Sequence, residues 1–492
     1  MHVYQRYPTF AKAILNGELA DVVEYIQLGA VIDEIDEYGF TPLIEAILVN
    51  KFDIAKHFLE HGCVVDYPDV CGRSPLFWAA DHNDISLCQL LLKHGADPNS
   101  YTIASQPLLV NPILRGQKKL KDLLVKHGAS LSFAQDYINT KLIGHRYELS
   151  GEVTIYNDKR ALIPLDFEGF FLEFTVSIIR DSLDRFINHF RGRKLKYLFQ
   201  HAKVVIQALT IAAELLQYQH HMVNLEKLEQ RILQLINFQP LLIPIGYAGH
   251  AISFILYKNV FVKIDRGHIS HSEGSVVIYQ INKPAMVTSE FIKHLLYTPQ
   301  PKEFVEQTYK DILSLVPIIK IPITSQKVGN CSWANVEAVV PTMLFLSIWG
   351  RQDEVNNEAL QKILSEAIKF FKEWSEWDKD ITLDDCIRSF HEADNDYRKA
   401  TKIDLLAAIL FHSCDYRDNK DLRRAEKILP MLTLPKFDYV LKSYLRVYFN
   451  QERNTEGNNL MHIIELCGAS FTDWIESNKP GIMLEVKRDA ED

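Results

Sequence analysis

Apolar residues recur at helical spacing through the first 130 residues of the chain, and the helical stretches end at a glycine every 33 residues. Gly29, Gly62, Gly95 and Gly128 each follow such a stretch, of which residues 54–59 are typical. A glycine can adopt the left-handed conformation that ends a helix. The period therefore predicts four copies of one helical unit, each too small to bury its apolar face alone.

A second pattern repeats with the same period. Residues 39–46 read GFTPLIEA and residues 72–79 read GRSPLFWA, 33 positions later. The Thr or Ser can cap a helix, and the proline fixes the backbone of its first turn. Both segments resemble the ankyrin signature G-x-T-P-L-H-x-A, over about residues 5–130 of the chain. The first repeat lacks this box and the fourth keeps only Pro107-Leu108, so the first helix of repeat four stays in question.

The ankyrin resemblance implies a binding surface without chemistry of its own, since such repeats stack helix pairs and project hairpin fingers. The finger residues expected to contact a partner are Asp33, Glu34, Asp36, Glu37, Tyr38, Tyr67 and Tyr101. Aromatic residues among carboxylates suit a partner with a basic, partly apolar surface. The alternative is a set of solvated loop tips with no partner.

The pattern changes after the repeats. Apolar alternation predicts short strands within residues 147–165, the helical period predicts helices over residues 165–238, and strand patterns return over residues 250–281. Residues 232–257 contain no Asp, Glu, Lys or Arg and are long enough to span a bilayer. Because prolines and glycines interrupt them, we predict a helix end followed by buried strands, and no membrane contact.

Composition narrows the class of protein. With 54 basic and 63 acidic residues the net charge is −9, which argues against direct binding to nucleic acid. The seven cysteines form no CxxC pair, which predicts a reduced chain without a structural zinc site. We expect no metal and no cofactor, and a monomer.

The strongest chemical signal is the segment QKVGNCSWAN at residues 326–335. Cys331 precedes an apolar helical pattern, and a helix N-terminus favours a thiolate. Gln326 can donate a side-chain N–H to an oxyanion that forms beside the sulfur. Trp333 and Asn330 are expected to line the substrate pocket, with Trp333 shielding the thiol from water.

This neighbourhood resembles that of the papain-like cysteine proteases, although one residue fewer separates Gln from Cys and the Trp falls one position later. His250 and Asp265 precede the cysteine, which is the order of the adenain-type and YopJ-type proteases and acyltransferases. The resemblance implies that His250 is the general base, Asp265 orients it, and Cys331 is the nucleophile. His268, His271 and His201 compete for the role of base, and Asp265 also suits a turn.

The sequence thus predicts an α+β multidomain protein: an ankyrin α-solenoid over residues 1–135, a papain-like α+β domain over 145–350, a helical region over 351–480 and an acidic tail over 481–492. Within the middle domain, residues 165–238 are helical, and residues 245–350 hold the strands and the thiol segment. The combination resembles ankyrin-repeat effectors with a cysteine-protease-like domain that bacteria deliver through the Dot/Icm type IV secretion system.

That resemblance implies a virulence protein secreted into the host cytosol or nucleus, where the repeats bind a host protein. Two functions remain open. One is a thiol hydrolase or acyltransferase that the repeats direct to a host substrate. The other is a non-catalytic interaction protein that uses the protease-like pocket and the repeats to bind and modulate a host complex.

Overall fold

The computed structural model describes residues 3–219, 225–247, 249–267, 274–350, 357–449 and 455–467. The predicted acidic tail, His268 and His271 lie outside these ranges. The described residues form 22 α-helices and seven strands, arranged as stacked helix pairs, two antiparallel sheets and a helical C-terminal part.

The N-terminal part consists of stacked helix pairs. Its helices are α1 Val3–Arg6, α2 Phe10–Asn16, α3 Leu19–Gln27, α4 Pro42–Leu48, α5 Phe52–Glu60, α6 Pro75–Asp81, α7 Ile85–Lys93, α8 Val110–Leu114 and α9 Lys118–Lys126. Thr41 and Ser74 cap α4 and α6 through their hydroxyl groups, and a proline follows each cap. Four helix pairs, α2/α3 to α8/α9, occupy the positions of the predicted repeats, and the first helix of the fourth pair is the five-residue α8.

Helix α10, Leu131–Arg146, connects the repeats to a two-stranded hairpin, β1 Glu152–Tyr156 and β2 Leu162–Asp166. Three long helices follow: α11 Leu172–Asn188, α12 Phe199–Gln217 and α13 Leu225–Ile236, with a 3-10 segment at Phe190–Leu198. The hairpin and the helices agree with the pattern read from residues 147–238.

The main sheet is an antiparallel meander in the order β3-β4-β5-β6-β7. Its strands are β3 Leu241–Tyr247, β4 His250–Tyr257, β5 Val260–Ile264, β6 Val276–Ile281 and β7 Leu315–Ile321. Helices α14 Ser289–Tyr297 and α15 Tyr309–Leu313 lie between the last two strands in sequence. The charge-free residues 232–257 are therefore a helix end and two buried strands, as predicted.

The thiol segment leads into α16 Cys331–Glu337 and α17 Val339–Trp349. Together these helices are long and apolar enough to cross a membrane, but 78% of their most apolar window is buried inside the protein. A core helix of a soluble protein has the same character, so this helix is weak evidence for a membrane span. The C-terminal helices are α18 Asn357–Glu392, α19 Asp396–Ser413, α20 Asn419–Leu432, α21 Asp438–Phe449 and α22 Thr455–Leu466.

One apolar core runs from Ile14 in the repeats to Trp377 in α18, and it includes residues of the main sheet and of α16 and α17. Buried charges also cross the predicted boundary. Arg115, after α8, bonds Asp81 of α6 at 2.9 Å and Glu173 of α11 at 2.7 Å, and none of the three side chains is more than 7% exposed. The repeats are thus packed firmly against the region that follows them.

Candidate active site

His250 and Asp265 meet because β4 and β5 are neighbours in the sheet. His250 is the first residue of β4 and Asp265 directly follows β5. Nε2 of His250 lies 3.0 Å from Oδ1 of Asp265, and the Gly267 N–H donates to the same oxygen at 3.1 Å. A carboxylate held in this way fixes the orientation of the imidazole ring.

Cys331 reaches this pair from the first turn of α16. Its sulfur accepts the backbone N–H of Ala251 at 3.3 Å, so it lies against the start of β4 beside His250. The Cys331 thiol and the Asp265 carboxylate both act on the imidazole and raise its pKa. The structure therefore brings Cys331, His250 and Asp265 together at one place.

The electrostatics favour a thiolate–imidazolium pair. Hydrogen bonds to Asp265 and to the thiol raise the pKa of His250 to about 9. Burial alone would raise the pKa of the Cys331 thiol, but the bonds from His250 and from the Ala251 N–H outweigh it, and the net pKa is lowered. Burial likewise works against the Asp265 carboxylate, yet His250 and Lys263 bring its pKa below the ordinary value.

Asn335 connects the parts of the site through hydrogen bonds, and it was not singled out from the sequence. It is fully buried, its Nδ2 donates to the Ala251 carbonyl at 2.6 Å, and its Oδ1 accepts the Arg266 N–H at 2.7 Å. These two bonds tie α16 to the residues that follow His250 and Asp265. The signal was available in the sequence, because a residue four positions after Cys331 lies on the same face of a helix.

Trp333 and Asn330 lie in the core and do not line the cleft, in contrast to the expectation. Trp333 is 1% exposed and stacks on His145, with ring centroids 5.5 Å apart. Two residues of helix turn through about 200°, so a residue two positions after Cys331 faces away from it. Asn330 is 2% exposed and caps the helix through its carbonyl, which accepts the N–H groups of Trp333 and Ala334.

Gln326 is also placed differently from the expected oxyanion donor. Its backbone N–H donates to the Arg266 carbonyl at 3.0 Å, and it is not among the residues that line the cleft. The N–H groups that act on the sulfur are the backbone groups of Ala251 and Ser332. Of the competing histidines, the described His201 bonds Ser347 at 2.9 Å and does not line the cleft.

The thiol opens into a cleft of about 570 Å³. Its walls are mostly apolar and come from the loop before α11, from the end of α12, from β3 and from the end of α14; they include Phe170, Phe171, Leu216, Ile245, Leu295 and Leu296. Cys331, His250 and Gly246 lie on the same cleft. An aliphatic or aromatic group can therefore be bound beside the sulfur.

The finger residues divide into exposed and structural groups. Tyr38 is 68% exposed, whereas the Asp36 carboxylate accepts the N–H groups of Tyr38 and Phe40 at 2.9 and 2.7 Å. Asp33 accepts the Val64 N–H of the next finger at 2.9 Å. Glu34, Glu37, Tyr67 and Tyr101 are exposed. Asp33 and Asp36 thus hold the fingers in shape, and the other five face solvent.

Comparisons with known proteins bear on the whole chain. A family model of ankyrin repeats matches residues 10–102 in three copies. No curated protein gives a significant sequence match. Among solved structures, that of the Legionella effector AnkH matches with a TM-score of 0.84 and 44% sequence identity, over 94% of this chain and 97% of that chain.

The chain belongs to the AnkH family. The AnkH match extends far beyond the ankyrin repeats, through the sheet and the C-terminal helices, because it leaves only a small part of either chain uncovered. It confirms the predicted ankyrin-repeat effector. The fold is a mixed α+β structure with ankyrin repeats at its N-terminus.

Proposed function

We propose that this protein is secreted into a host cell, binds a host protein through its ankyrin repeats and uses Cys331 to hydrolyse a peptide or isopeptide bond or to transfer an acyl group. The observation that carries this proposal is that Cys331, His250 and Asp265 meet at the open cleft, with His250 bonded to Asp265 and the Cys331 sulfur held at the start of the same strand. Its kinship with the Legionella effector AnkH supports secretion into a host cell. The compartment that we propose for its action is the host cytosol or nucleus.

The chemistry follows from the charges of the pair. The thiolate attacks the carbonyl carbon, and the oxyanion forms near the Ser332 N–H. The His250 imidazolium donates its proton to the leaving amine, the C–N bond breaks, and a thioester remains on Cys331. The neutral imidazole then removes a proton from water, or from an acceptor amine, as its oxygen or nitrogen attacks the thioester carbonyl carbon. The C–S bond breaks, the acyl group leaves on water or on the amine, and the Cys331 thiolate is restored beside the His250 imidazolium. Asp265 keeps the ring oriented in both steps.

The experiment is labelling with a thiol-directed, acyl-type activity probe. We expect the wild-type chain to be labelled, Cys331→Ala to be unlabelled and Asp265→Asn to be labelled more slowly. Cys71→Ser is the matched control, since Cys71 is exposed and lies on a finger of the repeats. Equal labelling of the wild type and Cys331→Ala would refute the assignment of the nucleophile.

The non-catalytic interaction protein remains the second candidate, and one observation favours it. Gln326 is not among the residues that line the cleft, so the side-chain oxyanion donor expected from the papain-like pattern does not lie there. On that reading, Cys331 would react with the probe but no acyl–enzyme would turn over. The two functions are separated by following product release after Cys331 has reacted once. Continued release indicates an enzyme, and a single burst without further release indicates the non-catalytic interaction protein.

Binding by the repeats is tested on the exposed finger residues alone. Glu34→Lys with Glu37→Lys reverses two charges that face solvent and leaves Asp33 and Asp36 in their structural bonds. Because exposed charges steer encounter, we expect slower association with the host partner, most strongly at low salt. Unchanged association kinetics at low salt would exclude this finger from the interface.

A further inference from the structure

A second cavity of about 500 Å³ adjoins the thiol cleft and shares the wall Gly169, Phe170 and Phe171 with it. Its other walls come from a finger of the repeats at Ile103 and Ser105, from α10 and from the β1–β2 hairpin. We call it the outer pocket. Since one segment lines both cavities, they lie side by side, and we call the two together the groove.

The outer pocket is fixed in place by bonds between its walls. The Ser105 hydroxyl donates to the Pro164 carbonyl at 2.7 Å, which joins the finger to β2. The Lys141 ammonium, on α10, donates to the carbonyl oxygens of Asp166 and Glu168 at 2.6 and 2.7 Å. The pocket is therefore formed before any ligand arrives, which lowers the cost of binding.

The charge of the outer pocket is negative. Glu152, Asp166 and Glu168 bring three carboxylates to it against the single ammonium of Lys141. Glu152 and Asp166 are direct cross-strand partners on β1 and β2, and both are exposed. Like charges directly opposite each other in a sheet are destabilising. Within the described part of the chain, no lysine or arginine forms an ion pair with either of them.

Glu168 links this charge to the reactive thiol. Its Oε1 accepts the Gly329 N–H at 3.2 Å, and Gly329 lies two residues before Cys331 on the wall of the cleft. A Cβ at Gly329 would clash with the Glu168 carboxylate, so only glycine fits beside it without movement. The acidic end of the groove is thus close to the sulfur.

We propose that the groove binds an extended polypeptide in which a lysine or arginine side chain enters the outer pocket and a bulky apolar residue occupies the cleft at Cys331. The carboxylates complement the basic side chain, and the half-exposed ring of Phe171, shared by both cavities, contacts the segment between them. The proposed peptide is the substrate class for the function proposed above. The inference rests on that function only for the statement that the scissile bond lies at Cys331.

The test measures binding without chemistry, in the full-length Cys331→Ala chain, so it does not depend on a reactive thiol. A random decapeptide display library is the probe. We expect the selected peptides to carry Lys or Arg at a fixed distance from a large apolar residue. A selection that yields no consensus, or a consensus without a basic position, overturns the proposal.

The selected peptide is then measured by fluorescence anisotropy against Asp166→Asn/Glu168→Gln in the same background. Both amides keep the hydrogen-bonding shape, and the amide oxygen that replaces the Glu168 carboxylate can still accept the Gly329 N–H, so only charge is lost. We expect Kd to rise about five- to tenfold, the weakening that two partly exposed charge pairs produce. Glu60→Gln/Asp122→Asn removes two exposed charges in the repeats and should leave Kd unchanged.

A peptide with glutamine in place of its basic residue completes a double-mutant cycle between the peptide and the protein. It should bind the parent chain more weakly, and it should lose nothing further in the Asp166→Asn/Glu168→Gln chain, because the two changes remove the same interaction. Additive losses would place the basic side chain elsewhere and refute the assignment. A failed activity-probe experiment beside a confirmed cycle would refute catalysis and leave the peptide groove standing.

Discussion

Removal of the His250 imidazole should change Cys331 from more reactive than a free cysteine to less reactive than one. At pH 6 a cysteine with a pKa of about 8.5 is about 0.3% thiolate. The pKa of the Cys331 thiol is lowered, so a larger fraction of it is thiolate at pH 6, while its lower basicity offsets part of that gain in nucleophile. We therefore expect iodoacetamide to modify Cys331 about five- to tenfold faster than a free cysteine peptide at pH 6.

In His250→Ala the strongest remaining influence on the Cys331 thiol is burial, which raises its pKa. Its modification at pH 6 should fall below that of the free peptide. Asp265→Asn keeps a hydrogen-bond acceptor and loses the charge, so its effect should be intermediate. His201→Ala is the matched control, since that histidine is half-buried on α12 and bonds Ser347 instead.

The assay is mass spectrometry of each cysteine after timed alkylation. Most of the other cysteines should stay unmodified at pH 6, because burial raises the pKa of Cys63, Cys386 and Cys414 to about 12 and that of Cys467 to about 11. A Cys331 rate at pH 6 equal to that of the free peptide, or equal in His250→Ala, would refute the ion pair. Unchanged circular dichroism of the variant excludes loss of the fold as the cause.

Three further predictions concern pH and stability. The turnover rate of Cys331 should depend on pH as a bell-shaped curve, because the ion pair needs a deprotonated thiol and a protonated His250. The rate should rise as pH passes the lowered pKa of Cys331 and fall near pH 9, where His250 loses its proton. Asn335→Ala leaves two buried backbone groups without their partner and should lower the free energy of unfolding in urea by about 2–4 kcal/mol; an unchanged urea midpoint would contradict it. Arg115→Met removes the guanidinium from two buried carboxylates, so we expect the free energy of unfolding to fall by about 3–5 kcal/mol, with Arg180→Met, at a more exposed ion pair, as a control that changes it little.

Local patterns allowed much of the fold to be predicted. The repeats carry their capping residues and helix-ending glycines at fixed spacing, so each signal concerns neighbouring residues. The strands that hold His250 and Asp265 are short apolar runs between turns, which single out the residues at their ends. The 44% identity to AnkH supports the overall assignment independently of these local signals.

The side chains of the thiol segment were harder to place. Motif spacing suggested Trp333 as a shield, but the phase of a helix that begins at Cys331 turns it toward His145 and the core. The same phase brings Asn335 to the site, where it joins two loops that are distant in sequence. Neither the position of the Gln326 side chain nor the outer pocket could be predicted from the sequence, because both depend on how separate elements pack.

The packing of the repeats gives the site a geometry that neither part would have alone. Arg115 at the end of α8 bonds Glu173 in the first turn of α11, two residues after Phe171, the side chain that both cavities share. The position of the cleft wall is thus set in part by the fourth repeat. A host protein held at the fingers would present its nearby segments to Cys331 at high effective concentration, without any further contact at the thiol. Weak affinity of the groove for a short peptide would therefore be compatible with efficient modification of a protein that the repeats retain.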